Sequence, residues 1–264
     1  LPSAYCLLTS DMSHAYRIQT RHFILPKEGS EPEECEDAVA FDAGSLRFAV
    51  ADGATEAFDA RRWAARLAAE WVGAVRAPLS AGEFGPWLKE QGEWLHASWE
   101  GRKLSWYAEE KRRAGSYAAF VGLRLESSGK KMNWRALALG DSCLVHRRGG
   151  EVLEAFPHSS HGEFTSTPPL VPSSESLREA ALARLVEREG RAESGDTFLL
   201  MTDALSAWYF ESSARRDPAA ETFDSLLAAS DNAALAELVR RERAAVRMKD
   251  DDVAVVRIEV VRSQ

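Results

Sequence analysis

Apolar and polar residues alternate with a period of two in several parts of the chain, a pattern typical of β-strands that bury one face. A first strand is predicted in AYRIQTRHFIL, near residues 15–25. The segment AVAFDAGSLRFAVADG predicts two more strands, joined by a turn at Asp42 to Ser45. Later strands are predicted in SYAAFVGLRLE, NWRALALGDSCLVHRRGG, EVLEAF, GDTFLLMTD and VAVVRIEVV.

Helical periodicity appears in two long stretches between the early and the later strands. FDARRWAARLAAEWVGAVRA and GPWLKEQGEWLHASWEGRKLSWYAEEKRR both repeat apolar residues at helical spacing. This spacing favours a core role over a ligand platform for the tryptophans: Trp63, Trp71, Trp87, Trp94 and Trp99. Further helices are predicted over 178–189, directly after Asp203, and over 217–228 and 231–246.

The order of these elements predicts the fold class. Strands come first, two long helices follow, and hairpins then return, which differs from regular βαβ alternation. We therefore expect an α+β layered fold with mainly antiparallel sheets. The length and the lack of a repeat predict one domain over 1–264. Segment 157–178 is polar and rich in Pro and Ser, which predicts a long loop of the functional or mobile kind.

Composition and charge exclude several classes of protein. A net charge of −8 argues against a nucleic-acid binder, which needs a basic surface. The three cysteines lie far apart with no CxxC pair, which argues against structural zinc and a disulfide scaffold, and favours the cytoplasm. No apolar run approaches the roughly 20 residues that span a bilayer. The first residues lack the basic and apolar regions of a signal peptide.

Carboxylates recur where predicted strands begin or end. Six of them share this context: Glu36, Asp37, Asp52, Asp141, Asp203 and Asp251. Residues at strand ends can converge on one rim of a sheet sandwich, where their charges repel unless cations or protons neutralise them. Mg²⁺ and Mn²⁺ prefer such oxygen ligands, and a pair of these ions can activate water and clamp a phosphoryl group.

Taken singly, each of these aspartates has a simpler explanation. Asp-Gly at 52–53 and Gly-Asp-Ser at 140–142 are common turn sequences, and Asp203 could cap the helix that follows it. Four of the aspartates follow or precede an apolar strand in matching contexts, which favours a site, although composition does not decide between the two readings: Asp52, Asp141, Asp203 and Asp251.

Six segments, in this order, resemble motifs of the metal-dependent protein phosphatase family of the protein phosphatase 2C type: CEDAVAFD, FAVADGATE, GSYAAFVGL, ALGDSCLVHRRGGEV, GDTFLLMTDALSAW and DDDVAVVRIEV. The resemblance extends from about residue 17 to 261 and indicates a divergent, bacterial-like member of the family. It implies a four-layer αββα sandwich, with two mainly antiparallel sheets flanked by helix pairs. It also implies hydrolysis of phosphoserine and phosphothreonine in proteins by a hydroxide that bridges two metal ions.

The resemblance further implies a role for each matching residue. Asp52 would bridge two Mg²⁺ or Mn²⁺ ions, the Gly53 carbonyl would bind the first, and Asp203 and Asp251 would bind the second. These three aspartates would form the catalytic core. The implied partner is a protein phosphorylated by a Ser/Thr kinase, with neither nucleic acid nor membrane involved.

The same family pattern implies supporting roles for three more carboxylates. Glu36 would help to hold waters on the ions, and Asp37 would lie in the outer shell. Asp141 would share a third, weaker ion with Asp203, as in bacterial members of the family.

The chain departs from the family pattern in ways that concern phosphate binding. Pro32 stands where the family has a phosphate-gripping arginine, and Arg21 and Lys27 are the upstream basic residues that could replace it. A lost guanidinium fork removes both positioning and charge neutralisation.

Other positions also differ from the family. Cys35 replaces Asn, Ala204 replaces Gly and Tyr117 replaces Thr, and no histidine follows the Asp-Gly pair at 52–53. His158 and His161 lie in the predicted flap region, 157–190, and either reach the site or are exposed loop histidines.

These departures leave two other functions open. The protein could be a catalytically weak or inactive relative that acts as a binding module. It could also be a phosphohydrolase of small molecules, because a fold does not fix the substrate.

Overall fold

A computed structural model describes residues 16–74, 78, 80–128 and 131–263. The strands in these ranges are β1 (Tyr16–Leu25), β2 (Asp37–Asp42), β3 (Arg47–Gly53), β4 (Tyr117–Ser128), β5 (Lys131–Leu139), β6 (Cys143–Arg148), β7 (Glu151–Phe156), β8 (Val171–Pro172), β9 (Val186–Ala192), β10 (Asp196–Met201) and β11 (Val253–Arg262). The α-helices are α1 (Ala60–Gly73), α2 (Ala81–Ala97), α3 (Trp106–Ala114), α4 (Glu175–Leu182), α5 (Asp203–Ala214), α6 (Pro218–Ala229) and α7 (Asn232–Ala244).

The strands form two antiparallel sheets within the described ranges. The first sheet has the order β1-β11-β10-β6-β7, and the second has the order β2-β3-β4-β5-β9, with β8 paired to β4. The predicted first strand and the β2–β3 hairpin are both present. The Asp42 carboxylate closes the turn of that hairpin by accepting hydrogen bonds from the amides of Gly44 (2.9 Å) and Ser45 (3.1 Å).

Four layers follow from where the apolar side chains pack. One apolar cluster lies between the sheets and joins Phe48 and Val50 to Leu200 and Val256. A second cluster joins α1 and α2 to the outer face of the β3–β4 sheet, and a third joins α5, α6 and α7 to the outer face of the other sheet. The fold is therefore α+β with an αββα arrangement, which confirms the predicted class.

Two predicted helices differ from the structure. The long stretch after residue 85 is two helices, α2 and α3, because Gly101 adopts a positive φ of 73° and Ser105 starts a new helix by accepting from the Ala108 amide. The helix predicted over 178–189 ends at Leu182, and β9 follows it. β9 pairs with β5, where Gly190 fits against the Trp134 ring; a Cβ at Gly190 would lie 2.8 Å from that ring.

The tryptophan prediction holds for most of these residues. Trp63, Trp71, Trp87 and Trp99 are buried, but Trp94 is 41% exposed. The Arg66 guanidinium lies 4.2 Å from the Trp94 ring centroid, so a cation–π contact covers part of that exposed ring.

The segment that was predicted as a long loop carries only short regular elements up to Ser174. It includes a 3-10 turn at His161–Glu163 and the two-residue strand β8. The single domain over 1–264 and the flap boundaries at 157–190 remain predictions. The signal-peptide prediction concerns residues outside the described ranges. Across the part of the chain that the structure describes, every helix is too short or too polar to cross a membrane.

Candidate metal centre

Strand alternation brings three polar residues to one edge of the space between the sheets. In β3, Phe48 and Val50 face the other sheet, so Asp52 shares their side at the end of the strand. Thr202 follows Phe198 and Leu200 in the same alternation, and Asp252 precedes Ala254 and Val256. The end of β10 and the start of β11 therefore meet the end of β3 at a common edge, which we call the acidic rim.

The buried Asp37 carboxylate is only partly satisfied. Asp37 lies directly opposite Asp52 in the β2–β3 register, and its Oδ2 accepts a hydrogen bond of 2.9 Å from the Thr202 hydroxyl. Its Oδ1 is buried and has no hydrogen-bond partner among the described residues. A buried carboxylate oxygen without a partner is costly, so a proton or a cation is expected to neutralise it.

Asp252, which the sequence analysis did not single out, organises the backbone at the rim. Its Oδ1 accepts from the Lys27 amide at 2.8 Å, and its Oδ2 accepts from the Glu36 amide at 2.7 Å. These two bonds fix the start of β11 to the loop before β2 and thereby position Glu36. Glu36 Oε2 is buried without a hydrogen bond among the described residues, and the Lys27 ammonium lies 3.8 Å from it.

Packing alone explains why residue 53 is glycine. A Cβ on Gly53 would lie 2.8 Å from the carbonyl oxygen of Ala60 and 3.1 Å from that of Glu36. The start of α1 therefore leaves no room for a side chain at the end of β3. The role of the Gly53 carbonyl as a metal ligand remains a prediction.

Asp203 and Asp251 both form an ion pair with Lys249, a residue that the sequence analysis did not single out. Asp203 is the first residue of α5, and Thr202 rather than Asp203 occupies the N-cap position. Its Oδ2 lies 3.2 Å from Lys249 Nζ, and Asp251 Oδ2 lies 2.6 Å from the same ammonium. Partial burial lowers the pKa of Lys249, but the two carboxylates outweigh this effect and raise the pKa overall.

The five predicted aspartates are close enough to affect one another's pKa values. Burial raises the pKa of Asp52 well above its usual range, and the charges of Asp37, Asp203, Asp141 and Asp251 raise it further. Burial and then Asp203 raise the pKa of Asp141 to about 7. Burial also raises the pKa of Asp37 well above its usual range, against the Thr202 hydrogen bond and with the help of Asp203.

Among the described residues, these carboxylates do not form a complete set of metal ligands. Across residues 16–74, 78, 80–128 and 131–263, no group of three or more His, Cys, Asp or Glu side chains has a placement that could hold a metal ion. The ligand roles that the family resemblance implies therefore remain predictions. The donor chemistry still fits a hard divalent ion, because the rim offers carboxylate oxygens and two of them, on Asp37 and Glu36, lack hydrogen bonds.

The basic residues proposed in place of the missing arginine lie in different surroundings. Pro32 begins a 3-10 turn, Pro32–Glu34, and carries no charge. Lys27 lies at the rim beside Glu36, whereas the Arg21 guanidinium donates to the Thr20 carbonyl at 2.9 Å.

The two loop histidines contact carboxylates outside the rim. His158 lies 3.6 Å from Glu163, and His161 lies 3.8 Å from Glu211. His161 is exposed, as the loop-histidine reading expects, whereas His158 is half-buried against the Phe164 ring. A role for either residue at the site remains a prediction.

Residues 29–240 match the family model described as Protein phosphatase 2C. The chain therefore belongs to the protein phosphatase 2C family, and its resemblance to bacterial members is confirmed at the level of fold. A search of curated protein sequences finds no match.

Several solved structures share the fold. PppA, described as a key regulatory component of T6SS in Pseudomonas aeruginosa, has 18% identity and a TM-score of 0.58, with 92% of this chain and 98% of that chain covered. The catalytic domain of the serine threonine protein phosphatase PstP, in complex with 2 manganese ions, has 18% identity and a TM-score of 0.60, with 93% and 99% covered. The Mycobacterium tuberculosis serine/threonine phosphatase PstP/Ppp has 17% identity and a TM-score of 0.59, with 93% and 99% covered.

Proposed function

We propose that the protein is a metal-dependent phosphatase that hydrolyses phosphoserine and phosphothreonine in proteins. The observation that carries this proposal is that Asp37 and Asp52 lie opposite each other in the β2–β3 register, and that the buried Asp37 Oδ1 has no hydrogen-bond partner among the described residues. The charges of Asp203, Asp141 and Asp251, from separate segments, help to raise the pKa of Asp52. Such a cluster is costly unless protons or cations neutralise it. Family membership supports the same function, as do the 2 manganese ions in the structure of PstP.

The residues at the acidic rim suit Mg²⁺ or Mn²⁺. Asp52, the Gly53 carbonyl, Asp203 and Asp251 would hold two ions, and Asp141 with Asp203 would hold a third. The ions would supply Lewis-acid chemistry, which generates a nucleophile at neutral pH and neutralises phosphoryl oxygens.

Hydrogen bonds of Thr202 and Asp252 hold the strands at the acidic rim in position. The Thr202 hydroxyl donates to Asp37 and accepts from the Ala254 amide at 2.9 Å, so it links β2 to both β10 and β11. The Asp252 carboxylate accepts a hydrogen bond from the Glu36 amide. We propose that Thr202 and Asp252 are positioning residues that orient Asp37 and Glu36 toward the ions.

Lys27 is the group that we propose in place of the missing arginine. Its ammonium already lies beside Glu36, close to the position of Pro32 in the chain. An ammonium is a point charge and does not form the two parallel hydrogen bonds of a guanidinium, so we expect weaker binding of the substrate phosphate.

A second candidate is a binding module with weak or absent catalysis. Two features favour it: Pro32 in place of a phosphate-binding arginine, and the incomplete set of metal ligands among the described side chains. A small-molecule phosphohydrolase is a third candidate, since the fold leaves the substrate open.

We place the activity in the cytoplasm. Cys35 and Cys143 are both buried free thiols, which suits a reducing compartment. The expected partner there is a phosphorylated protein, the product of a Ser/Thr kinase.

Hydrolysis by the purified protein tests the proposal. With Mn²⁺, we expect phosphate release from phosphoserine and phosphothreonine peptides, with kcat/KM at least about tenfold above that for a panel of phosphorylated metabolites; a tenfold difference needs only about 1.4 kcal/mol of discrimination. EDTA should abolish the release. Turnover of metabolites alone would support the small-molecule enzyme, and Mn²⁺ binding without turnover would support the binding module. Protein that neither binds Mn²⁺ nor releases phosphate would contradict the proposed function.

A further inference from the structure

A lysine ammonium occupies the space between two of the proposed metal ligands. Lys249 lies between α7 and β11, and its Nζ is 3.2 Å from Asp203 Oδ2 and 2.6 Å from Asp251 Oδ2. The amide of Asp252 meanwhile donates to Asp251 Oδ1 at 3.0 Å, and the amide of Ala204 donates to Asp203 Oδ1 at 2.5 Å. The Oδ2 atoms are thus the oxygens of this pair that remain for a cation, and Lys249 contacts both.

Other basic groups near the rim do not have this arrangement. The Arg243 guanidinium donates to the backbone carbonyls of Pro26 and Asp251, and it lies 3.6 Å from Asp250. Lys27 lies 3.8 Å from Glu36 alone. Among the described basic residues with ion pairs at the rim, Lys249 is the one that joins two proposed ligands of the second ion.

The Lys249 side chain is exposed enough to move away from Asp203 and Asp251. Its side chain is 62% exposed, so the ammonium can move into solvent without crossing packed atoms. The side chains of Asp203 and Asp251 are 18% and 28% exposed, so these ion pairs are partly exposed, and we expect each to contribute up to about 1 kcal/mol. A divalent ion that forms bonds to the same oxygens carries twice the charge and would displace the ammonium.

We propose that Lys249 is a tethered cation that neutralises Asp203 and Asp251 when no ion is bound and competes with the second metal ion for their Oδ2 atoms. This inference rests on the proposed metal-dependent function. It gives Lys249 two effects: it stabilises the metal-free protein, and it weakens the affinity for the second ion. The second site would then fill only when the free concentration of the divalent ion is high.

Metal titration of four proteins tests this competition. The wild type is compared with Lys249→Met, which removes the charge, and with Lys249→Arg, which keeps it. Lys89→Met is the matched control, because Lys89 pairs only at 3.8 Å with Glu93 on an exposed helix face. Mn²⁺ binding is followed by calorimetry, and the melting temperature is measured with EDTA and with saturating Mn²⁺.

For Lys249→Met, we expect the second Mn²⁺ ion, the one assigned to Asp203 and Asp251, to bind about fivefold more tightly, which corresponds to the loss of two partly exposed ion pairs. Its melting temperature in EDTA should fall by about 2–4 °C and should match the wild type in saturating Mn²⁺. Lys249→Arg and Lys89→Met should both behave like the wild type.

Two results would overturn the inference, and they differ in what they say about the function. If the wild type binds two Mn²⁺ ions and Lys249→Met binds them with unchanged affinity, the competition is absent while the metal site stands. If neither protein binds Mn²⁺ at millimolar concentration, the metal-dependent function fails and the competition fails with it.

Discussion

Replacing Asp52 with Asn is expected to lower Mn²⁺-dependent hydrolysis of a phosphopeptide about a thousandfold, because metal-ion stabilisation of the transition state amounts to several kcal/mol. Asn keeps the size of the side chain but removes the negative charge that would join the two ions. The change also removes one of the charges that repel one another at the rim, so the variant should remain folded. Initial rates at saturating Mn²⁺ measure the effect.

Asp42→Asn provides the matched control for this substitution. Asp42 lies at the other end of the same hairpin, where its carboxylate accepts hydrogen bonds from the amides of Gly44 and Ser45. Asn suits such a turn, so the control should hydrolyse the peptide at the wild-type rate. Equal rates for Asp52→Asn, Asp42→Asn and the wild type would rule out Asp52 as part of the catalytic site.

The second large effect concerns the stability of the metal-free protein against pH. The pKa of Asp141 is raised from 3.8 to about 7, so the folded protein keeps a proton that the unfolded chain has already lost. The free energy of unfolding should therefore fall as the pH rises from 5 to 8, by about 2–3 kcal/mol from Asp141 alone. Asp37 and Asp52, whose pKa values are also raised, act in the same direction.

Urea denaturation in EDTA at several pH values measures this slope. Histidines also titrate in this pH range. Because Asp141→Asn carries the same histidines as the wild type, the difference between the two stability curves gives the contribution of Asp141. The variant should lose less stability toward pH 8 and should there be more stable than the wild type. Saturating Mn²⁺ should restore the wild type at pH 8. Parallel curves for the two proteins would show that Asp141 is not held in a repulsive carboxylate cluster.

The layered fold could be predicted from the sequence because most of its elements follow from local periodicity. The strands β1, β3, β10 and β11 alternate or run apolar up to a polar end, and α1 repeats its apolar residues at helical spacing. β9 could not be predicted in the same way. Its sequence VEREGRA is rich in good helix formers, and pairing with β5 at the edge of the sheet decides its conformation.

The candidate site was predictable to the extent that strand ends converge. Asp37, Asp52, Asp141, Asp203 and Asp251 lie within electrostatic reach of one another, as their strand-end positions suggested. The roles of these residues as ligands, and those of Gly53 and Glu36, remain predictions.

The rest of the rim depends on contacts that the sequence does not contain. In the run KDDD, alternation with Ala254 and Val256 could have indicated that Asp252 faces inward. The contact of Lys249 with Asp203 depends on how α5 and the segment before β11 meet in space. No local sequence pattern specifies this contact between two distant segments.

Crystals soaked in Mn²⁺ and measured at the manganese absorption edge would show directly whether the acidic rim binds divalent ions. We expect anomalous peaks that Asp52 shares with the Asp203–Asp251 pair, with the Lys249 ammonium moved away from that pair. Peaks confined to other carboxylates, or no peak at the rim at saturating Mn²⁺, would contradict the claim that these aspartates gather to bind divalent ions.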